Sequence, residues 1–136
     1  MKNNAIKLLT EKKLRPSVQR VEILAYLLDK KNHPTVDMIY SDLHPSFPTL
    51  SKTTVYNTLR LLESEKLIQT IGIEETELRY DADISNHLHF KCLHCKNVYD
   101  IFSISPQPID SLLPKGFLLT KTQINLWGIC EKCNSQ

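Results

Sequence analysis

Several features that define common classes of protein are missing from this chain of 136 residues. It has no run of about 18 apolar residues, the length that a membrane-spanning helix needs. Its N-terminal segment is charged and has no apolar core of the kind found in signal peptides. With only three glycines, it has no glycine-rich loop to hold a phosphate group, and no nucleophile–base pair stands out. These absences favour a cytoplasmic protein that is not an enzyme, with no membrane partner and no small organic substrate.

The composition is that of a folded, reduced protein. Apolar residues make up 41% of the chain and charged residues 24%, which excludes a disordered chain. The four cysteines should be reduced in the cytoplasm, so metal binding or redox chemistry is favoured over disulfide bonds.

The small net charge of +2 conceals an uneven distribution. Residues 1–66 carry 11 basic and 7 acidic side chains, whereas residues 67–83 carry one arginine and five acidic side chains. A basic half followed by an acidic segment is typical of a DNA-facing part joined to a part that binds cations. Scatter in small counts is the alternative.

Apolar residues at spacings of three and four predict helices throughout the first 66 residues. A short helix covers residues 5–9, and the second and third helices follow Ser17 and Thr35, which are good capping residues. The fourth begins at Ser51 and runs to about residue 65.

The pattern changes to a β-type pattern after residue 66. Strand segments occur at residues 67–73, 78–80, 87–91, 98–102 and 117–129, and residues 106–114 form a short helix at most. Helices followed by a two-stranded hairpin predict a winged helix-turn-helix. We therefore expect an α+β fold, with an N-terminal winged helix-turn-helix domain over residues 1–79 and a small C-terminal α/β domain over residues 80–136.

The fourth helix has two chemically different faces. Val55, Leu59 and Leu62 form one apolar stripe when consecutive residues are separated by about 100°. The opposite side is polar but almost free of acidic groups, and asparagine and arginine are the residue types that bind base edges or phosphates. An ordinary solvated face is the alternative. The candidate DNA contacts on this helix are Ser51, Thr53, Thr54, Tyr56, Asn57 and Arg60.

Two Cys-x-x-Cys pairs give the strongest motif in the sequence. Cys92 and Cys95 form one pair, and Cys130 and Cys133 form the other, with 34 residues between the pairs. Two such pairs complete a tetrahedron of soft thiolate ligands with no open position, which describes a structural zinc site. Unconnected cysteines or a redox dithiol are the alternatives.

A second set of ligand-type residues combines histidine with aspartate. His87 and His89 are two residues apart on a predicted strand, so their side chains share one face about 7 Å apart. Asp100 interrupts an apolar strand, where a carboxylate is costly to bury without a cation or a hydrogen-bond partner; Asp81 and Asp83 are near in sequence. Imidazole and carboxylate ligands suit Fe(II), Mn(II) or Zn(II). A surface histidine pair with a hydrogen-bonded aspartate is the alternative.

The order and spacing of several segments resemble the ferric-uptake-regulator family over almost the whole chain. The matching segments are residues 14–20, 33–35, 51–59, 87–95 and 130–133. The resemblance implies a homodimer that binds double-stranded operator DNA through its winged helix, followed by a hinge and a C-terminal dimerisation and metal-binding domain. It adds Arg15 to the candidate DNA contacts.

The resemblance also implies two metal sites. It places a structural Zn²⁺ in the four cysteines and a regulatory Fe²⁺ or Mn²⁺ at a second site. The implied regulatory ligands are His33, Asp81, His87, His89 and Asp100. The family pattern alone adds His33 and prefers Asp81 over Asp83. One ion joining His33 to the other ligands would close the hinge and set the spacing of the two recognition helices.

Departures within the motifs resemble the peroxide-sensing branch of the family. Iron-sensing members usually have glutamate in place of Asp81 and Asp100, and arginine in place of Asn57. In the peroxide-sensing branch, Fe²⁺ reacts with hydrogen peroxide, a ligand histidine corresponding to His33 or His87 is oxidised, and DNA is released. We therefore expect a metal-dependent transcriptional repressor that responds to peroxide.

Three alternatives stay open at this point. A reversible iron- or zinc-sensing uptake repressor of the same family is the nearest. A small redox or hydrolytic metalloenzyme would use the histidine–aspartate set for turnover. A zinc-stabilised interaction module would keep the cysteine site without binding DNA.

Overall fold

The chain divides into two units in the computed structural model, which describes residues 1–85, 87–102 and 109–135. The first unit is Met1–Ile84 and the second is Ser85–Gln136. The first unit extends beyond the expected domain boundary at residue 79 because the strand Arg79–Asp81 pairs inside it.

Four helices form most of the first unit. They are α1 (Lys2–Glu11), α2 (Val18–Asp29), α3 (Val36–Leu43) and α4 (Lys52–Ser64). Ser17 and Thr35 cap α2 and α3 as expected, and Ser51, expected as the first residue of α4, caps it instead; each side-chain oxygen accepts the backbone N–H three residues further on. In the described parts of the chain, no helix is long and apolar enough to cross a membrane.

An apolar cluster of sixteen buried residues holds these helices together. Val55, Leu59 and Leu62 of α4 are fully buried in it, as the apolar stripe predicts. Ile23, Leu24 and Leu27 of α2 belong to the same cluster and are also almost completely buried. The orientation of α4 is therefore fixed by its inner face, and its polar face points away from the core.

The hairpin that follows completes a winged helix. Strand β1 (Gln69–Ile71) pairs antiparallel with β2 (Arg79–Asp81), with Thr70 opposite Tyr80. Residues 72–78 between the strands form the wing turn. Helices α2 to α4 followed by this hairpin confirm the winged helix-turn-helix prediction.

The second unit is a small three-stranded sheet with short helical segments. Strand β3 (Leu88–Cys92) lies between β4 (Val98–Ile101), which is antiparallel to it, and β5 (Asn125–Gly128), which is parallel to it. A 3₁₀ helix covers Ile109–Leu112, and α5 (Glu131–Asn134) follows β5. This mixed sheet and the helical first unit confirm the α+β class.

The segments predicted at residues 106–114 and 117–129 are shorter in the described structure than the sequence suggested. The strand predicted at residues 117–129 was too long, because only Asn125–Gly128 pairs with a neighbour, and the side chains of Phe117 and Leu118 are 68% and 86% exposed. The predicted short helix at residues 106–114 is represented by the 3₁₀ helix, while residues 106–108 lie outside the described residues.

Candidate metal centres and DNA-facing surface

The four cysteines meet at one end of the small sheet. Cys92 ends β3, Cys95 lies in the turn after it, and Cys130 and Cys133 lie at the start and inside of α5. One sulfur atom from each lies within 4.8 Å of all the others, and the Sγ atoms of Cys95 and Cys130 are 3.8 Å apart. This cluster has the ligand type and number of a closed structural zinc site.

Backbone pairing explains how two distant Cys-x-x-Cys pairs come together. Cys92 of β3 is opposite Gly128 of β5, and the N–H of Leu93 donates to the carbonyl of Gly128 at 2.7 Å. A Cβ atom at Gly128 would lie 2.9 Å from Cζ of Phe90, so the close approach of β5 to β3 depends on glycine there. The parallel pairing therefore delivers Cys130 directly to the end of β3.

The protein environment favours thiolates at two of the four positions. Burial opposes ionisation of Cys92, but N–H donors from Cys130, Cys95 and His94 outweigh it and lower the pKa to about 5. A hydrogen bond from the Tyr99 hydroxyl and a backbone donor from Cys133 lower the pKa of Cys130. Burial and the neighbouring thiols raise the pKa of Cys133 to about 12. Since thiolates are the forms that bind metal, the site is partly prepared for a cation.

A second cluster in the same unit joins two histidines to one aspartate. The β3–β4 register places His89 opposite Asp100. Oδ1 of Asp100 lies 3.2 Å from Nε2 of His87 and 3.4 Å from Nε2 of His89. The two imidazole rings have centroids 4.6 Å apart, so they share one face as expected, although His87 itself precedes the strand.

The first unit brings together the two ligand-type residues that it contributes. Asp81 ends β2, and its Oδ2 lies 3.7 Å from Nε2 of His33, which lies in the loop between α2 and α3. Both residues are buried, with 7% and 4% of their surface exposed. Asp83 contacts this pair through its backbone, since its N–H donates to Oδ1 of Asp81 at 2.9 Å.

The burial of these histidines and aspartates indicates whether they are suited to bind a metal ion. Carboxylates and imidazoles are seldom so buried unless they are paired or bind a metal ion. In the second unit, His89 is 1% exposed and the Asp100 side chain 18%. Nitrogen and oxygen ligands of this kind fit Fe²⁺, Mn²⁺ or Zn²⁺, whereas the cysteine cluster fits a softer site. Both ligand sets thus fit the metals that the sequence suggested.

The outer face of α4 presents polar groups to solvent. Thr53, Asn57 and Arg60 are exposed, and the Tyr56 side chain is 45% exposed. The guanidinium of Arg60 lies 5.8 Å from the centroid of the Tyr56 ring, which is cation–π geometry. This face therefore carries a cation whose guanidinium is placed beside an aromatic ring.

The N-terminus of α4 and the segment before α2 carry the remaining candidate DNA contacts. Ser51 is exposed, and its Oγ is 3.0 Å from the hydroxyl oxygen of Thr54, which is only half-buried. The Arg15 side chain is exposed, while its carbonyl accepts a hydrogen bond from Arg20. These groups are accessible to a phosphate backbone without rearrangement of the helices.

Sequence reasoning missed the residues that surround His33. Arg79 of β2 donates from Nη1 to the His33 carbonyl at 2.9 Å, and its Nε forms an ion pair with Glu74. The available signal was a pair of opposite charges flanking a predicted turn, which indicates a cross-turn ion pair. The contact with His33 had no signal in the sequence, because 46 residues separate the partners.

A winged helix with a polar α4 face, joined to thiolate and imidazole–carboxylate clusters, defines a metal-dependent DNA-binding regulator. The ferric uptake regulator family model matches residues 11–127. The chain belongs to the ferric uptake regulator family.

Individual relatives agree with this assignment. The chain is similar to the peroxide operon regulator of Bacillus subtilis, with 31% identity over 97% of this chain and 92% of the relative. It is also similar to the solved PerR of Streptococcus pyogenes, a protein of peroxide sensing and gene regulation, with 30% identity, a TM-score of 0.55 and coverage of 97% and 92%.

A third relative supports the fold alone. The structure of the Helicobacter pylori ferric uptake regulator has a TM-score of 0.77 over 98% of this chain and 94% of its own, at 20% identity. Members of this family are transcription regulators.

Proposed function

We propose that this protein is a metal-dependent repressor that senses hydrogen peroxide through oxidation of a histidine ligand of its regulatory iron. The observation that carries the proposal is the buried histidine–aspartate chemistry in both units. His33 and Asp81 lie 3.7 Å apart in the first, and His89 and Asp100 lie 3.4 Å apart in the second. The ligand carboxylates are aspartates, as in the peroxide-sensing branch, and peroxide regulators of about 30% identity support the same choice.

The regulatory ligand set would draw on both units. His33 and Asp81 from the first unit, and His87, His89 and Asp100 from the second, would hold the ion. A cation held by both sets favours the arrangement in which the units present their ligands to it together. In the proposed division of labour, the first unit binds DNA, and the second unit dimerises and holds structural Zn²⁺ in Cys92, Cys95, Cys130 and Cys133.

Peroxide would act by destroying part of this ligand set. Fe²⁺ held at this site would supply the chemistry that activates hydrogen peroxide, and it would end as Fe²⁺, since the two electrons that reduce peroxide come from the histidine ring. A ring carbon of His33 or His87 then gains one oxygen atom while its C–H bond becomes C–OH, and the other oxygen of peroxide leaves as water. The oxidised ring binds the cation less well, so the ligands of the two units are no longer held together and operator DNA is released.

The homodimer is supported by the surface of the second unit. Among its described residues, Leu112, Phe117, Leu118 and Trp127 are 80%, 68%, 86% and 52% exposed. A unit of about 50 residues that exposes so many large apolar side chains favours association with a partner. A second copy of the chain would cover them and pair the two winged helices for a two-fold symmetric operator.

DNA recognition would depend on the polar face of α4. Asn57→Ala and Arg60→Ala should each weaken binding of the Mn²⁺-loaded dimer by about 1–3 kcal/mol, measured on fragments selected from a random DNA pool. Ser64→Ala is the matched control, because Ser64 lies on α4 beyond Arg60 and its hydroxyl donates to the Leu61 carbonyl. Unchanged binding by both variants would contradict recognition through α4, and failure of the wild-type protein to select any fragment would favour the interaction module that does not bind DNA.

Metal and peroxide responses separate the remaining alternatives. With the same DNA fragments, peroxide should release the Fe²⁺-loaded protein and leave the Mn²⁺-loaded protein bound. A reversible iron- or zinc-sensing repressor of the family would instead keep DNA bound in both forms and release it when the metal is chelated. Repeated turnover of peroxide at one site would indicate an enzyme and contradict the proposal.

A further inference from the structure

The loop that carries His33 has a backbone conformation that needs support. Its φ of 53° lies in the left-handed region, which residues other than glycine rarely adopt. The next residue, Pro34, is fully buried, and a residue before proline is already restricted in its backbone angles. Such conformations persist where surrounding contacts enforce them. The contacts made by the His33 carbonyl therefore help to decide where its imidazole points.

Two hydrogen bonds tie this loop to strand β2. The backbone N–H of Tyr80 donates to the Pro34 carbonyl at 3.0 Å, and Nη1 of Arg79 donates to the His33 carbonyl at 2.9 Å. The first bond uses only backbone atoms, so almost any side chain at position 80 permits it. The second bond is specific to the side chain at position 79.

Arg79 is also bound to the wing turn. Its Nε donates to Oε1 of Glu74, and the two side chains are only 14% and 16% exposed. Burial shields this ion pair from the solvent that weakens surface pairs. Arginine presents several N–H donors in a rigid fork, so one side chain can bind Glu74 and His33 with different nitrogens. A lysine has one nitrogen on a flexible stem and cannot reproduce this geometry.

We propose that Arg79 is a positioning residue that couples the wing turn to the regulatory metal site through the backbone of His33. The proposal rests on the proposed function, since it takes His33 as a metal ligand. Asp81, the other ligand proposed from this unit, lies two residues further along the same strand, so β2 places Arg79 at the His33 carbonyl and the Asp81 carboxylate 3.7 Å from Nε2 of the His33 ring. A shift of the wing turn is passed to His33, and metal binding at His33 in turn holds the wing turn, because coupling between two sites is reciprocal.

Calorimetric titration of Mn²⁺ into the full-length, zinc-containing protein tests this coupling. Arg79→Lys keeps the charge but loses the fork, and it should weaken Mn²⁺ binding about tenfold, at the low end of the effect of removing a partner behind a metal ligand. Glu74→Gln should weaken it in the same direction. Glu22→Gln is the control, because it breaks an ion pair with Lys2 on other helices of the same unit. Unchanged Mn²⁺ affinity in Arg79→Lys overturns the proposal.

Backbone amide spectra of the zinc-containing protein before Mn²⁺ is added give a second, metal-independent readout. Arg79→Lys and Glu74→Gln should both shift the amide signals of His33 and Thr35, whereas Glu22→Gln should leave them in place. A purely stabilising role would lower the melting temperature without moving these signals, and that result overturns the proposal. If His33→Ala leaves Mn²⁺ affinity unchanged, the ligand role in the proposed function fails, and the amide shifts still decide whether the wing is coupled to the loop.

Discussion

Removal of the zinc ligands should unfold the second unit and leave the first unit folded. Sixteen buried apolar residues form the core of the first unit. Among the described residues of the second unit, the buried apolar side chains are those of Cys92 and Cys130, which are also the proposed zinc ligands. In the second unit, metal binding by the cysteine cluster thus supplies the stabilisation that an apolar core supplies in other domains.

The magnitudes support this difference between the units. A core in a domain of fewer than about 70 residues rarely supplies more than about 3–5 kcal/mol, and the second unit has about 50 residues. Structural zinc contributes about 10–16 kcal/mol in small zinc domains near neutral pH. The free energy lost with the metal is therefore larger than the free energy that the apolar contacts of this unit supply. Association with a partner does not offset the loss either, because the apolar surface that the partner would bury exists only in the folded unit.

Hydrogen exchange followed by mass spectrometry measures this directly. In Cys95→Ala treated with a chelator, amides of β3 and β5 should lose protection, while amides of α2 and α4 keep it. Wild-type protein with zinc is the reference, and addition of zinc to the wild-type protein after chelation should restore protection. Retained protection in β3 and β5 without zinc would show that the second unit folds without the metal, and equal loss in α4 would show that the two units unfold together; either result contradicts the prediction.

Two further substitutions test other parts of the structure. The hydroxyl of Tyr26 donates to Asp42 at 2.6 Å, and burial together with this bond raises the pKa of Tyr26 well above 10. Tyr26→Phe should lower the free energy of unfolding, measured with urea at pH 7, by about 1–3 kcal/mol. Because the folded pKa is raised, the Tyr26 proton stabilises the protein below pH 10 and this contribution is lost at higher pH, so wild type should lose stability more steeply than the variant there. Gly128→Ala should cost about 1–3 kcal/mol in stability by overpacking against Phe90, and the melting temperature should fall. Gly72→Ala is the control and should be tolerated, because the nearest side-chain atom lies 4.0 Å from the added Cβ. An equal fall in melting temperature for both variants would contradict the packing argument.

The sequence predicted the first unit well because its helices have strong local signals. Ser17, Thr35 and Ser51 are capping residues at the observed helix starts, and a periodic apolar face fixed the inner side of α4. Capping and periodicity depend on residues three or four positions apart, so they can be recognised without tertiary structure.

The second unit was harder to predict for a physical reason. Apolar residues at positions 117–119 suggested a strand, but in the structure they lie outside the sheet, and exposed apolar residues of this kind indicate a surface rather than a strand. The cysteine and histidine ligands were found because their spacing matches metal chemistry. The role of Arg79 could not be found, because its contact with His33 depends on how the wing folds back on a loop far away in sequence.

Peptide mass mapping of the iron-loaded protein after peroxide shows directly whether a ligand histidine is oxidised. Protein holding zinc and Fe²⁺ is exposed to a small excess of hydrogen peroxide, digested, and compared with protein holding zinc and Mn²⁺. We expect one added oxygen atom on His33 or His87 in the iron-loaded protein, together with loss of DNA binding, and no such addition in the manganese-loaded protein. Unmodified His33 and His87 with DNA binding retained after peroxide would contradict this expectation.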